Sequence, residues 1–149
     1  MSENSETIEV RGEKMQVGAK LLALNDEGKY LLIRKNPDLY PEMANKWDIP
    51  GGRWLPNQEF VPDTLNREVG KETGLNIIGK PEFIAKQKFK HSRIKDLSIV
   101  RLTYKGHVEG QLTLDEEHFE SRWVTLEEMK VIDNLEPYVK ELIDQDLIK

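Results

Sequence analysis

The sequence predicts an α+β domain in which helices cover a mixed β-sheet. Three observations lead to this prediction. Apolar, strand-like segments recur along the chain, two or three helical patterns lie among them, and no repeat or linker interrupts the order. With 149 residues the chain has the length of one domain with its own core. We expect residues 1–12 to form a flexible tail and residues 13–149 to form a single domain.

The first half of the domain is predicted to consist mainly of strands. Three segments have the apolar pattern of strands: Met15–Leu24, Lys29–Arg34 and the short Trp47–Ile49. The first two would form a hairpin around the turn at residues 25–28. Residues 36–46 contain two prolines and are expected to form a loop that could act as a flap near a substrate. A turn at Pro50-Gly51-Gly52 follows the third strand.

A helix is predicted between Pro62 and Gly74. Proline suits the first helical position, where its missing N–H costs nothing, and glycine suits the residue just past the end. Leu65 and Val69 would form the buried stripe between them, since residues four apart share a helix face.

The second half of the domain is predicted to add further strands and to end in helices. The strand-like segments are Pro81–Phe89, Leu97–Gly106 and Arg122–Val124. Thr125 could cap a short helix that follows the last of them. A final helix is predicted with Pro137 in its first turn and with apolar residues at helical spacing, namely Val139, Leu142, Ile143 and Leu147.

Glu68 and Glu72 are four residues apart on the central helix and lie beside its apolar stripe. Like charges at this spacing repel by a few tenths of a kcal/mol, and carboxylates that border a core also lose hydration. A divalent cation would offset both costs, so the spacing points to metal-assisted phosphate chemistry. The alternative is a pair of structural ion pairs, Glu68 with Lys71 and Glu72 with a partner elsewhere.

The stretch from Trp47 to Leu75 resembles the Nudix box of the Nudix hydrolases. That pattern is a glycine, five residues, a glutamate, seven residues, and then Arg-Glu-apolar-x-Glu-Glu-x-Gly-apolar. In this chain Glu59 is followed by seven residues and then by Arg67, Glu68, Val69, Gly70, Lys71, Glu72, Thr73, Gly74 and Leu75. Lys71 stands where the first of the paired glutamates belongs, and six residues instead of five separate Gly52 from Glu59. The segments KYLLIRK and SRWVTLEEM also look like flanking segments of the family.

The resemblance implies a Nudix-type α/β/α sandwich and a set of metal ligands. Glu68 and Glu72 would be the central ligands of Mg²⁺ (or Mn²⁺), which prefers oxygen donors. Glu59 would be a further ligand or an acid near the metal, and a backbone carbonyl from Gly51 or Gly52 would complete the set. Arg67 would orient a carboxylate of the box rather than touch substrate; the alternative is an ordinary exposed arginine.

Lys71 and the general base are the two open points of this assignment. Because Lys71 removes one carboxylate, we expect one or two metal ions rather than three. In the family the base is either a glutamate of the box or one from a distant loop. The acidic run at residues 115–120 offers Glu117 and Glu120 for this role, although such a cluster is also typical of a solvated loop.

Candidate substrate-binding residues are less specific. Lys90 and Arg93 belong to a basic loop that could hold phosphates, but a solvated hairpin tip is the more ordinary interpretation. Trp54 could stack on a base or pack locally. The histidines do not have the spacing of a zinc site and are expected to be ordinary polar residues: His91, His107 and His118.

Composition excludes several classes of function. A net charge of −5 and a pI near 5.3 are not those of a general nucleic-acid binder. The chain has no cysteine, so disulfides and thiolate metal sites are excluded. No apolar run approaches the ~20 residues of a membrane span, and the N-terminal residues lack the apolar core of a signal peptide. We therefore expect a cytoplasmic protein, and the resemblance to the Nudix hydrolases implies a small nucleotide-type substrate.

The resemblance implies a pyrophosphatase that splits a nucleoside diphosphate linked to another moiety. Nucleoside triphosphates, ADP-ribose and nucleotide sugars all fit this description, and the sequence does not choose among them. One alternative is a nucleotide-binding module in which Lys71 and the altered glycine loop have abolished turnover. Another is a structural acidic domain without a ligand. Dimers are common in the family, but nothing in the sequence identifies an interface.

Overall fold

The computed structural model describes residues 3–43 and 45–149. The helices are α1 (Glu3–Glu6), α2 (Val61–Thr73), α3 (Leu126–Val131) and α4 (Pro137–Asp144), together with a 3₁₀ turn at Pro41–Met43. The strands are β1 (Thr7–Val10), β2 (Glu13–Leu24), β3 (Tyr30–Lys35), β4 (Trp47–Asp48), β5 (Gly51–Arg53), β6 (Asn76–Lys90), β7 (Leu97–Glu109) and β8 (His118–Val124). Among the described residues, no helix is both long enough and apolar enough to cross a membrane.

The strands form one mixed sheet with the central order β4-β3-β2-β7-β6. β2 and β7 run parallel, from the pair Lys14–Leu97 to the pair Leu24–His107, whereas β6 and β7 form a long antiparallel hairpin. β8 pairs with β3 on the side opposite β4. This arrangement confirms the predicted mixed sheet.

β2 and β3 separate soon after their turn, as shown by their pairing at Leu24 and Tyr30 alone. In the gap that opens, β5 pairs with β2 instead, and Gly51 lies opposite Lys20. The Pro-Gly-Gly segment was expected to be a turn, but its glycines are thus part of the sheet. The gap brings this segment next to the helix that follows it in the sequence.

Helices cover both faces of the sheet, so the architecture is the expected α/β/α sandwich. Alternate residues of β2 and β3 enter two different cores, as the period of two in a strand requires. One core lies under α2 and contains Leu21, Leu31, Leu65 and Val69. The other lies under α3 and α4 and contains Leu22, Leu32, Met129 and Leu142.

The residues that the sequence assigned to a flexible tail include a strand. Residues 7–10 pair with residues 13–16 of β2, and Arg11 and Gly12 between them have φ values of 51° and 82°. Two successive positive φ angles are typical of a two-residue hairpin turn. The segment was not recognised because it is only four residues long and its side chains are half-buried or exposed. Met1 and Ser2 lie outside the described residues.

Three predicted strands extend further than expected. β6 begins at Asn76 rather than Pro81, and β7 continues to Glu109. β8 begins at His118 rather than Arg122, so part of the acidic run belongs to a strand. Backbone pairing with β3 fixes this beginning, through Lys35 opposite His118. The expected flap contains the 3₁₀ turn, and Ala44 within it lies outside the described residues.

Candidate active site

Helix α2 begins and ends as its sequence predicts. Pro62 lies in the first turn, and Asp63 accepts a hydrogen bond of 3.2 Å from the backbone N–H of Phe60. At the other end Gly74 has a φ of 71° and donates its N–H to Gly70 over 2.9 Å. Leu65 is completely buried on the sheet side. This fixes the helix so that Glu68 and Glu72 face the glycine segment of β5.

Glu72 is a buried carboxylate held by the glycine segment. Its Oε1 accepts a hydrogen bond of 2.9 Å from the backbone N–H of Gly51, and the residue is only 5% exposed. Its other oxygen, Oε2, lies 4.0 Å from Nε2 of His118. Burial raises the pKa of Glu72 to about 7, and the charge of Lys20 and the Gly51 hydrogen bond only partly oppose this rise. The ionised side chain therefore lacks sufficient compensating positive charge.

Glu68 packs directly on Gly52. A Cβ atom placed on Gly52 would lie 2.6 Å from Cδ of Glu68 and 2.7 Å from its Oε2, so a larger residue would displace the carboxylate. Oε1 of Glu68 accepts a hydrogen bond from Arg67. Each of the two acids thus has one oxygen bound by a protein N–H, while Oε2 accepts no hydrogen bond from the described residues.

Arg67 and Glu59 form a clamp behind these acids. Glu59 accepts hydrogen bonds from Nε and Nη2 of Arg67 at 3.1 and 2.8 Å, from the Thr64 hydroxyl at 2.9 Å and from the backbone N–H of Leu55 at 3.1 Å. Arg67 also donates to the carbonyl of Arg53 over 2.8 Å. These bonds keep the pKa of Glu59 below its ordinary value, mainly through Arg67. Through these bonds Glu59 fixes the position of Arg67, and Arg67 in turn holds Glu68.

The segment before β8 docks on the end of α2. The N–H groups of Thr113 and Asp115 donate to the carbonyls of Thr73 and Glu72, over 2.8 and 3.2 Å. Asp115 Oδ1 lies 2.7 Å from Nδ1 of His118, so the other ring nitrogen faces Glu72. Burial lowers the pKa of His118, although the bond to Asp115 opposes this. His118 was expected to be an ordinary polar residue, and its spacing gave no signal of this neighbour.

Glu117 is held between α2 and the flap. Its Oε1 accepts a hydrogen bond from the Tyr40 hydroxyl, and its Oε2 lies 3.7 Å from Nζ of Lys71. These two contacts, the first more than the second, lower the pKa of Glu117. Lys71 therefore does not form the ion pair with Glu68 that its spacing could have allowed.

A pocket lined by lysines lies beside Glu72. Lys20, Lys35 and Lys46 line it together with Asp48, His118, Ile33, Ile49, Met43 and Glu72. Lys20 donates to Oδ2 of Asp48 and to the carbonyl of Ile49, each over 3.2 Å. These lysines were not among the site residues predicted from the sequence. A lysine within the apolar run of β2 was the one signal that could have marked Lys20.

Several residues selected from the sequence lie away from this pocket. Glu120 pairs with Arg34 at 2.7 Å, and it is opposite Arg34 on β3. Because side chains alternate along a strand, this places Glu120 on the other face of the sheet from α2. Lys90 lies opposite Ser98, and the basic tip that also carries Arg93 lies about 20 Å along β2 from Gly51.

Trp54 has a local role in the structure. Its indole Nε1 donates a hydrogen bond of 2.8 Å to the carbonyl of Glu59. The side chain therefore closes the loop between β5 and α2, which contains the residue that the family pattern lacks. This matches local packing, which was one of the two predicted roles of Trp54, the other being base stacking.

The donor set around α2 fits a hard dication such as Mg²⁺. Glu68 and Glu72 each offer a free carboxylate oxygen, and Gly52 leaves the space in which the Glu68 carboxylate lies. A cation would also offset the cost of burying the charged Glu72 carboxylate, which the positive charges of the protein offset only in part. Within residues 3–43 and 45–149, however, no three His, Asp or Glu side chains are already arranged around one position. A backbone carbonyl, water and substrate oxygens would therefore have to supply the remaining ligands.

Comparisons with known proteins agree with this geometry. Residues 14–145 match the family model of the NUDIX domain. The MutT protein from Methanosarcina mazei Go1 is 26% identical, with a TM-score of 0.74 over 88% of this chain and 91% of that chain. The E. coli ORF135 protein is 23% identical, with a TM-score of 0.74 over 91% of this chain and 90% of its own.

A third similar structure is the MutT NUDIX hydrolase from Burkholderia pseudomallei, 21% identical, with a TM-score of 0.70 over 89% and 98% of the two chains. At 21% and 23% identity, the similarity to this hydrolase and to the E. coli protein supports the fold alone. A search of curated proteins gives no match. The family model covers nearly the whole chain, including the glycine segment and the acids of α2. The chain therefore belongs to the Nudix hydrolase family and is a pyrophosphohydrolase that acts on nucleoside diphosphate-linked compounds.

Proposed function

We propose that the protein is a Mg²⁺-dependent enzyme that hydrolyses a pyrophosphate bond and releases a nucleoside monophosphate and a second phosphorylated product. Nucleoside triphosphates, ADP-ribose and nucleotide sugars are the substrates to test. The buried Glu72 beside Glu68 carries this proposal, because its carboxylate is desolvated and lacks compensating charge. A cytoplasmic location is part of the proposal.

Glu68 and Glu72 would hold the metal through their free Oε2 atoms, with a backbone carbonyl of the glycine segment, from Gly51 or Gly52, as a further donor. When bound, Mg²⁺ neutralises charge on the phosphate oxygens and makes a nearby water more acidic. Arg67 keeps Glu68 in position, while Glu59 keeps Arg67 in position. The N–H of Gly51 fixes the orientation of Glu72.

The lysines of the pocket would bind the phosphates of the substrate. Lys35 and Lys46 line the same pocket as Glu72, and ammonium groups are suitable partners of phosphate oxygens. Lys20 is already paired with Asp48, so it would contribute mainly through its charge. These three lysines replace Lys90 and Arg93 in the proposed site, since the basic hairpin tip is remote from α2.

Glu117 is the proposed acceptor of the proton from water. Its contacts with Tyr40 and Lys71 favour the ionised carboxylate, and the next residue, His118, lies beside Glu72. Glu120 is less suited to this role because it faces the other side of the sheet and pairs with Arg34. The variant Glu117→Gln should therefore reduce turnover more strongly than Glu120→Gln.

The test is a panel of nucleotides assayed for monophosphate and phosphate release with Mg²⁺, with Mn²⁺ and with a chelator. Wild type should need the metal, and Glu72→Gln should lose orders of magnitude in turnover while circular dichroism shows an unchanged fold. Glu127→Gln removes an acid that is 82% exposed on α3, so it serves as the control. Binding of nucleotides without any turnover would instead identify a binding module and refute the proposal.

A further inference from the structure

A buried ion network lies behind the lysine-lined pocket. Asp48, at the end of β4, contacts two cations through different oxygens. Its Oδ2 accepts a hydrogen bond of 3.2 Å from Nζ of Lys20, and its Oδ1 accepts one of 2.9 Å from Nη2 of Arg101. Lys20 and Asp48 line the pocket, whereas Arg101 does not and its side chain is only 8% exposed. Arg101 therefore reaches the pocket through Asp48.

The sheet places these two cations on the same face. Lys20 lies on β2, and Arg101 lies on the neighbouring β7, where the register pairs it with Gly18. Because Gly18 is two residues from Lys20, the side chains of Arg101 and Lys20 point to the same side of the sheet, about 7 Å apart along the strand direction. Asp48 reaches between them, so that one carboxylate is shared by two cations.

A contribution to stability does not explain Arg101. A buried ion pair often stabilises a fold no more than apolar residues of similar size would. In addition, Nε of Arg101 is buried without a hydrogen-bond partner among residues 3–43 and 45–149, which is unfavourable. Glu136 lies 3.6 Å from Nη2 of Arg101, but the same Glu136 oxygen already accepts two backbone N–H groups of α4. Asp48 is therefore the principal partner of Arg101.

The charges of these groups determine what the pocket can bind. Burial disfavours an ionised Asp48, but the charges of Arg101 and Lys20 lower its pKa well below the ordinary value, so the carboxylate is charged. Paired with Lys20 alone, that carboxylate would cancel the charge of the lysine where little water is present to screen it. With Arg101 on its other oxygen, two cations share one anion, and one positive charge is left beside the pocket.

We propose that Arg101 is a positioning residue for substrate binding, which holds Asp48 through one oxygen and thereby prevents this carboxylate from cancelling the charge that Lys20 offers to the phosphates of the substrate. Lys20 also donates to the carbonyl of Ile49 over 3.2 Å, so its own position does not depend on Asp48 alone. This inference rests on the proposed function, because it assumes that the lysine-lined pocket binds phosphates.

The experiment measures the binding of inorganic pyrophosphate to the full chain by isothermal titration calorimetry in excess Mg²⁺, together with KM and kcat for the substrate that the nucleotide panel identifies. The variants are Arg101→Met, which removes the charge, Arg101→Lys, which keeps it, Asp48→Asn, and the double variant Arg101→Met with Asp48→Asn. Arg122→Met removes the same charge at an exposed position of β8 and is the matched control. Circular dichroism and thermal unfolding confirm that each variant is folded.

Arg101→Met should weaken pyrophosphate binding at least about fivefold and raise KM by a similar factor with a smaller change in kcat, because the phosphates lose the charge of Lys20. Arg101→Lys and Arg122→Met should bind pyrophosphate nearly as wild type does. The double variant should recover wild-type binding, since removal of the carboxylate restores the charge of Lys20. A purely structural role of Arg101 predicts the opposite, namely that the double variant binds no better than Arg101→Met.

Unchanged binding in Arg101→Met would overturn the inference, as would a double variant that binds as weakly as Arg101→Met. If Arg101→Met does not fold, Asp48→Asn decides the question: binding at least as tight as in wild type supports the inference, and weaker binding overturns it. A wild type that binds no pyrophosphate would refute the phosphate-binding role of the pocket in the proposed function, and this inference with it.

Discussion

Replacement of Glu72 by glutamine should stabilise the metal-free protein, and the gain should depend on pH. The pKa of Glu72 is about 7 in the folded protein against an ordinary value of 4.5. Because the folded pKa is the higher one, the folded state binds more protons between these values, and wild-type stability falls as the pH rises through this window. At about 1.36 kcal/mol per pKa unit, the full loss is about 3 kcal/mol.

Urea unfolding in the presence of a chelator measures this loss. Between about pH 5 and about pH 8, the difference in unfolding free energy between Glu72→Gln and wild type should grow by about 2.5 kcal/mol in favour of the variant. Added Mg²⁺ should stabilise wild type more than the variant at the higher pH, because only wild type retains both carboxylates. Parallel pH profiles for the two proteins would refute the reasoning.

Three further substitutions test the arrangement around the helix. Gly52→Ala places a Cβ 2.6 Å from Cδ of Glu68, so we expect weaker Mn²⁺ binding and turnover reduced at least about tenfold, both measured on folded protein. Arg67→Lys keeps the charge but cannot bridge Glu59, Glu68 and a carbonyl together; kinetics should show a loss of about 10–100-fold. Arg93→Ala should leave kcat/KM within about twofold of wild type, because the hairpin tip is remote from the pocket. A large loss there would restore the basic loop as a substrate site.

The central helix could be predicted because its signals are local. Pro62 and Gly74 mark its ends, and the positions of Leu65 and Val69 determine its buried side. The same helical spacing predicted that Glu68 and Glu72 lie next to the buried side of the helix, and the structure has them there. The two cores under the sheet likewise follow from the alternation of apolar residues in the strands.

The neighbours of the acids could not be predicted, since they depend on contacts between distant segments. His118 faces Glu72 only because the segment before β8 docks on the end of α2. Lys20 reaches the site only because β2 separates from β3 and admits β5. Strand β1 was missed for a related reason: it is only four residues long, and its pairing with β2 depends on backbone hydrogen bonds and a tight turn.

The parallel pairing of β2 with β7 has a consequence for how the chain acquires activity. Lys14 is opposite Leu97, and the register continues to Leu24 opposite His107, so the partners are about 80 residues apart along the chain. Closing so large a loop comes late in folding, because its entropic cost precedes any reward from contacts. β5 carries the glycines that lie behind the acids, and it pairs with the opposite edge of β2. The site therefore depends on a strand that closes a long loop, and not only on the local signals that mark helix α2.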